Sequence, residues 1–419
     1  MFQIVYPQTN TGSQYSNKLT LQIPGPEIDN SQIQSFQPPA SSFPTEDPQS
    51  PSPISFELRG YLSNMQSVMF TDVKEEWIAD NLIHNRLNFF LYAGNNLITS
   101  VQLRNRFMYG QSISSNPGYT QSVGDENNYF DLSFNILEER SFFLNSSIDR
   151  AFIQYTAGKF VFTGGRQRIN WGQALVWNPN DVFNVQNFFD FDYMEKPGSD
   201  ALRVQYYPGF TSTAELAARL DQDGRLTAAA MFRFNKWSYD IQLLGGILSE
   251  EDIFAGIGWS GDIKGAGFRG EGSYFYPLGH ASDTTGMFLG TLSVDYTFSN
   301  SLYLQAECLF SKKPGGAGAY FFELYQGSLD VRNIAFSEWN ALIQASYPVT
   351  PLFNLSLAGM YFPDLEGFYF GPSLQYSIKD NAELSLISQV FSGKFSIVPG
   401  LPEGRTDLFF GFLRYRFSF

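Results

Sequence analysis

The chain has 419 residues, of which 43% are apolar and 17% aromatic, with 42 Phe and 23 Tyr, and a formal charge of −14. The acidic balance argues against nucleic acid as a partner. The single Cys308 excludes an intrachain disulfide, and two histidines, His84 and His280, leave too little for a zinc centre, so no metal or other cofactor is expected.

Mean hydropathy is only −0.18, and no apolar run reaches the roughly 18 residues of a membrane helix. So much aromatic content is compatible with that value only if apolar and polar residues alternate along strands, which a hydropathy window averages away. The composition points to an all-β chain, a single transmembrane antiparallel barrel.

Residues 1–53 are rich in Pro, Ser, Gln and Asn, as in SFQPPASSFPTEDPQSPSP, with little to bury. They read either as a flexible N-terminal extension or as a segment folded back to plug a pore. MFQIVYPQTN has neither a basic start nor a long apolar centre, so an exported protein is expected to be written here in mature form or from a displaced start. The barrel itself is expected over 54–419.

From Ile54 the chain reads as strand after strand. Phasing from the aromatic rows puts Arg86, Arg104, Arg106 and Arg150 on the lumen side. Within 54–144 the segment DLSFNILEERSFFLN resists a clean phase. A single-chain barrel normally takes an even strand number, so about 18 strands (16–20) are expected, with any miscount falling there.

The rhythm breaks at GGRQRINWGQALVWNPNDVFNVQNFFDFDYMEKPGSDALRV, where residues 169–199 hold Trp171, Trp177, Asp181, Asp190, Asp192 and Glu195. A loop this long and this aromatic must bury its rings, and the lumen is the available place. It is read as a constriction loop folded inward, with those residues at the narrowing. Arg166, Arg168 and Asp200 stand at its root. The two arginines either anchor the loop to Asp181 or Asp200 by charge-assisted bonds, or touch solute.

Residues Arg150 to Asp181, RAFIQY…GKFVFTGGRQRINWG…NPND, resemble the hairpin and following loop of the phosphate-selective-porin and alginate-export-like superfamily. Over 145–207 the likeness is closer still to a largely uncharacterised group of Bacteroidetes-type outer-membrane proteins carrying GRQRINWG and PGSDALR. The resemblance implies a bacterial outer-membrane, porin-like channel for small hydrophilic solutes, surrounded by lipid and lipopolysaccharide. It names no solute. The lysine-rich constriction of a phosphate-selective member is absent, so anion selectivity is not implied.

Downstream, ELAARLDQDGRLTAAAMFRFNKWSYDIQLLGG holds three strands. Their outward rows run Leu216, Ala218, Leu220, then Leu226 to Phe234, then Trp237 to Leu243. DQDGRL lacks the later oxygen ligands of a calcium loop and is a hairpin turn. GAGFRGEG has no following helix to hold phosphate and is a strand. Cys308 falls on an outward row. Arg203, Arg219, Arg233, Arg269 and Arg414 extend the lumen-side arginine set. They form either a charged filter opposite the acidic loop or a structural wall paired with lumen acids such as Glu57, Asp240, Glu271, Asp295 and Glu383. Tight connections (TAGK, NK, SN, KDN) alternate with long ones, as at the two rims of an outer-membrane barrel.

The chain closes on GFLRYRFSF, with Leu413, Tyr415, Phe417 and Phe419 alternating with Arg414, Arg416 and Ser418. A terminal aromatic on such a strand resembles the signal read by the barrel-assembly machinery, here Tyr415, Phe417 and Phe419. Neither histidine sits in a hydrolase motif, so no enzyme is expected. Two other readings stand beside the porin: a transporter for hydrophobic or bulky solutes plugged by residues 1–53, and a non-conducting barrel that scaffolds an envelope complex. No feature marks a subunit interface, and the oligomeric state stays open.

Overall fold

Period-two rows become strands wherever one face is apolar and the other polar. The computed structural model describes residues 54–74, 76–115, 120, 128–185, 188, 198–279, 285–312, 330–395 and 404–419. In chain order the strands are β1 (Ser55–Phe70), β2 (Ile78–Ala93), β3 (Leu97–Gly110), β4 (Ser133–Glu138), β5 (Phe142–Ala157), β6 (Phe160–Gln167), β7 (Ser199–Gly209), β8 (Ser212–Leu220), β9 (Leu226–Lys236) and β10 (Tyr239–Leu248). They continue as β11 (Asp252–Ile263), β12 (Ala266–Pro277), β13 (Met287–Thr297), β14 (Tyr303–Lys312), β15 (Trp339–Thr350), β16 (Phe353–Phe362), β17 (Gly367–Lys379), β18 (Ala382–Phe395) and β19 (Gly404–Ser418). A five-residue helix, α1 (Gln111–Ser115), follows β3. No helix among the described residues is long and apolar enough to cross a membrane.

Of the 19 strands in the sheet, all but β4 form one closed antiparallel circuit, leaving 18 in the wall. β3 pairs directly with β5, and β19 returns to β1. The seam ends on the last residue, whose N–H and C=O both pair with Gly60 at 2.9 Å. A side chain at Gly60 would put its first carbon 2.3 Å from the Arg86 carbonyl and 2.9 Å from the Phe419 ring, so only glycine lets the terminal aromatic close here.

β4 accounts for the segment that resisted phasing. β6 has only eight residues and stops at Gln167, which strips the upper half of β5 of a neighbour. β4 fills that place, pairing Ser133–Glu138 with Phe143–Ser147. Among the described residues it pairs on one edge only, so no second strand there imposes a face on its sequence.

Eight tight connections, from 94–96 after β2 to 380–381 after β17, gather at one rim together with the chain end. At two of them the positive φ values of Trp237, Ser238, Lys264 and Gly265 turn the chain in a few residues. The other rim carries the long connections. The two are called the turn rim and the loop rim below.

Outward rows are apolar and exposed: Leu202 is 71% accessible, Ile343 68% and Leu216 61%. Tyr155, Trp237, Tyr276 and Tyr361 stand exposed near strand ends, as girdle residues do. Inward rows divide by height. Toward the turn rim they are polar, with Arg203, Arg233, Arg269, Asp295, Gln305 and Arg414. Toward the loop rim they are apolar and buried, with Phe254, Phe275, Leu289, Leu309, Phe391 and Phe410. Most of the lumen-side arginines stand in the lower and middle parts of the wall, while Arg106 on β3 and Arg219 on β8 stand toward the loop rim. The upper rows need apolar side chains because the loop after β6 packs its own rings against them.

Candidate functional site

The loop leaves the wall at a built root. Gly165 has φ +112°, and a Cβ there would lie 2.3 Å from the Ala151 carbonyl, so the bend requires glycine. The next residue, Arg166, faces Asp200 across the β6–β7 pair, with Nε donating to Oδ1 at 2.9 Å and Nη2 to Oδ2 at 3.0 Å. The same guanidinium donates to the carbonyls of Ile148 and Phe130, while the Phe130 N–H donates to Asp200 at 2.9 Å. These two side chains share the outward face with Gly164 and Leu202 and are buried beneath the segment leading into β4. The ion pair thus ties the patching strand to the root. Arg168, half-buried, begins the loop proper.

From there the chain turns into the barrel, where wall carboxylates receive its backbone. Glu271 on β12 accepts the N–H groups of Gln173, of Ala174 at 2.6 Å and of Asn180 at 2.8 Å. Glu307 on β14 accepts those of Leu175 at 3.1 Å, Val176 at 3.1 Å and Trp177 at 2.6 Å, together with the Ser293 hydroxyl at 2.6 Å. Consecutive amides converging on a carboxylate make a small anion cradle, turned here to hold a loop rather than a ligand. Glu215 on β8 accepts the Trp171 indole N–H at 2.5 Å and is itself gripped by Arg203 at 2.7 Å. Gln242 donates to the Trp171 carbonyl at 2.9 Å, and the Asn180 amide reaches the Ile257 carbonyl at 3.0 Å.

The loop is also closed upon itself. Asn184 accepts the Ile169 N–H at 2.8 Å and donates to Ser199 at 2.8 Å, and Arg219 donates to the Phe183 carbonyl at 2.9 Å. Trp171 meets Phe183 edge-on with ring centres 5.0 Å apart. Trp171, Trp177, Val182 and Phe183 join the apolar upper wall in one buried cluster. Asp181 is buried, and its Oδ1 accepts the Trp171 backbone N–H at 3.4 Å. Asp190, Asp192 and Glu195 lie outside the described residues.

No protein-family model and no curated protein matches the sequence. Solved structures do match it along most of its length. OccD3 (OpdP) of Pseudomonas aeruginosa superposes with a TM-score of 0.54 at 9% identity, over 88% of this chain and 93% of that one. OccAB4 of Acinetobacter baumannii gives 0.53 at 12% identity, over 89% and 100%. OccK11 (OpdR) of P. aeruginosa gives 0.52 at 9%, over 86% and 96%. The fold is that of the Occ proteins.

Within this Occ-type barrel the arginines fall into two groups. Arg203 pairs with Glu215, Arg269 with Asp295, and Arg414 and Arg416 with Glu383 at 3.5 and 3.4 Å. Arg233 occupies the inward row of β9 toward the turn rim. Arg86, Arg104, Arg106 and Arg150 gather on β2, β3 and β5 around Asp149. There Arg86 and Asp149 form a fully buried pair, Arg86 donates to Gln102 at 2.8 Å, and Arg106 donates to Asn145 at 2.9 Å.

Of the other acids, Glu57 meets Arg59 and Asp240 accepts from Asn235 at 2.8 Å, while Glu271 serves the loop. Sequence reasoning placed Glu271 among acids available to arginine and gave Glu215 and Glu307 no part in holding the loop. The available signal was their position: three inward acids on β8, β12 and β14, facing a loop with no basic residue between Ile169 and Val185.

In the connection between β14 and β15, at the loop rim, Arg332 bridges Asp330, Glu251 and Asp252. Burial depresses its guanidinium, but the bonds to these three carboxylates outweigh that and hold it above its ordinary value.

Proposed function

We propose that the protein is a porin-like channel of a bacterial outer membrane, passing small hydrophilic solutes through a lumen narrowed by residues 169–185. The single observation that carries this is the loop hung inside a closed 18-stranded wall on Glu215, Glu271 and Glu307. A structural scaffold needs no such internal fitting, whereas a channel uses it to set its bore. The exposed apolar rows belong against lipid, which makes the turn rim periplasmic and the loop rim external. Tyr415 and Phe417 point outward on β19, and Phe419 closes the seam, which supports their reading as a signal for the barrel-assembly machinery. Liposomes containing the purified protein should swell in small sugars; liposomes that do not swell overturn the channel and leave the scaffold.

Within this class, the phosphate-selective-porin and alginate-export-like resemblance is kept as a proposal that rests on the sequence motif. GGRQRINWG supplies the glycine bend, the root arginine and the first indole of the inward loop.

A second reading is a transporter for hydrophobic or bulky solutes, in which the Phe-rich stretch 183–193 of the inward loop supplies an apolar route. Residues 1–53 are the proposed plug of that transporter; deleting residues 1–50 then raises single-channel conductance, and an unchanged conductance leaves them an extension.

A further inference from the structure

The outer wall is not uniform. On β8 through β17, the outward rows carry no amide and no charged side chain between the strands' terminal residues. On β1, β2, β3 and β5 they do. The cross-strand pairs Gln66–Asn81, Asn85–Asn105 and Asn105–Ser146 lie on the face that also carries Leu62, Val101 and Tyr109, all exposed.

These side chains form a ribbon. Asn64 and Asn81 exchange bonds at 3.3 and 3.4 Å. Asn105 donates to Asn85 at 3.1 Å, and the Ser146 hydroxyl donates to Asn105 at 2.5 Å. Gln66 is exposed and has no partner among the described residues. The ribbon is not at a rim. Leu62 and Val68 flank Asn64 and Gln66 on the outward row of β1, and Leu103 and Phe107 flank Asn105 on β3.

An amide at that depth in hydrocarbon has spare donors and acceptors that no lipid tail satisfies, at a cost of order 1–3 kcal/mol for each unpaired group. The outward rows of β8 through β17 avoid the cost. Directly toward the loop rim, the same strands enclose a concavity of about 540 Å³ lined by Ala79, Phe107, Tyr109, Gln111, Ser141 and Phe142. A polar ribbon on the outer wall with a shallow apolar hollow above it, at the loop-rim end of the same strands, is the make-up of a protein contact rather than a lipid contact.

We infer that a second copy of this chain docks on this face, side by side in the same bilayer. The occupant follows from depth and chemistry. A second barrel inserted in the same orientation presents the same amides at the same height without further adjustment. Each amide is both donor and acceptor, so the ribbon is complementary to itself, which is what a closed symmetric assembly requires. The inference rests on reading the outer rows as lipid-facing. It does not depend on whether the lumen conducts.

The test is the mass of the full-length protein in mild detergent and in native membranes, read by native mass spectrometry. The parent should carry more than one copy. Replacing the three surface-reaching groups together, Asn64→Leu, Gln66→Leu and Asn105→Leu, should raise the dissociation constant of the assembly at least tenfold. The heat-dependent gel shift of a folded barrel should persist, because leucine suits a lipid-facing site. Ile343→Asn on β15 is the control and leaves the assembly unchanged. A single-copy parent overturns the inference, as does a triple variant that stays assembled, or a complex whose extra mass is a different polypeptide. A protein that stays soluble without detergent instead defeats the lipid-facing reading, a result distinct from all three.

Discussion

Two sectors of the inner wall handle buried charge in opposite ways. On β8, β12 and β14, Glu215, Glu271 and Glu307 point at a loop segment without basic side chains; Glu271 and Glu307 are met largely by backbone N–H groups, and Glu215 by the Trp171 indole and Arg203. On β2, β3 and β5, four arginines surround Asp149, and Arg86 and Arg104 stand directly opposite each other. The first sector trades charge for the position of a loop. The second concentrates positive charge and keeps it in place with one carboxylate and neighbouring amides. A solute in between meets an acidic side already occupied by loop backbone and a basic side that is not, so the field across the bore belongs mainly to the arginines.

The comparison is broken most severely by removing the carboxylates that hold the loop. Glu271→Ala with Glu307→Ala strips acceptors from six loop N–H groups, three on each residue. Each such group left buried and unpaired costs about 1–3 kcal/mol, so the loop should leave its seat. Single-channel conductance in planar bilayers should rise several-fold, and sugar uptake by liposomes with it. Conductance equal to that of the parent would mean that these carboxylates do not set the bore.

A smaller effect, confined to stability, is expected in the second sector. Asp149→Asn leaves Arg86 buried without its counter-charge beside Arg104, a loss of about 3–5 kcal/mol for a broken buried pair. The urea midpoint of the folded-to-unfolded gel shift should drop accordingly, with conductance of the surviving barrels unchanged. Replacing both partners, Arg86→Met with Asp149→Leu, should recover much of the loss, since neither charge then lacks a partner. A double variant as unstable as the single one would show that the pair does more than neutralise itself.

The two sectors were not equally legible in the sequence. Arg86, Arg104, Arg106 and Arg150 could be phased to the lumen because alternation with aromatics fixes a strand's faces. The inward loop was legible from its length and its tryptophans. The holding role of Glu271 and Glu307 was not, because their partners are backbone N–H groups, which every residue has and no residue type announces. The segment holding β4 resisted phasing for a related reason: one paired edge at the rim imposes no periodicity. The apolar upper wall did leave a trace, in stretches such as LFFGF at 408–412 and SYFYP at 273–277, where both rows turn apolar. Such runs mark strands covered on both faces, here by lipid outside and the loop inside.

The finest test concerns the field itself. Arg104→Gln with Arg106→Gln removes two positive charges from the basic sector while leaving Arg86 paired with Asp149 and the loop on its carboxylates. Bore and stability should change little. What should change is the reversal potential under a salt gradient, which moves toward cation preference, and more strongly at low ionic strength, where the Debye length grows from about 10 Å at 0.1 M to 30 Å at 0.01 M. The same pair of substitutions made at Arg414 and Arg416, whose charge is already shared with Glu383, should shift it less. If both variants move the potential equally, or neither does, the basic sector is an inert wall like the rest and the contrast between the two sides is one of packing alone.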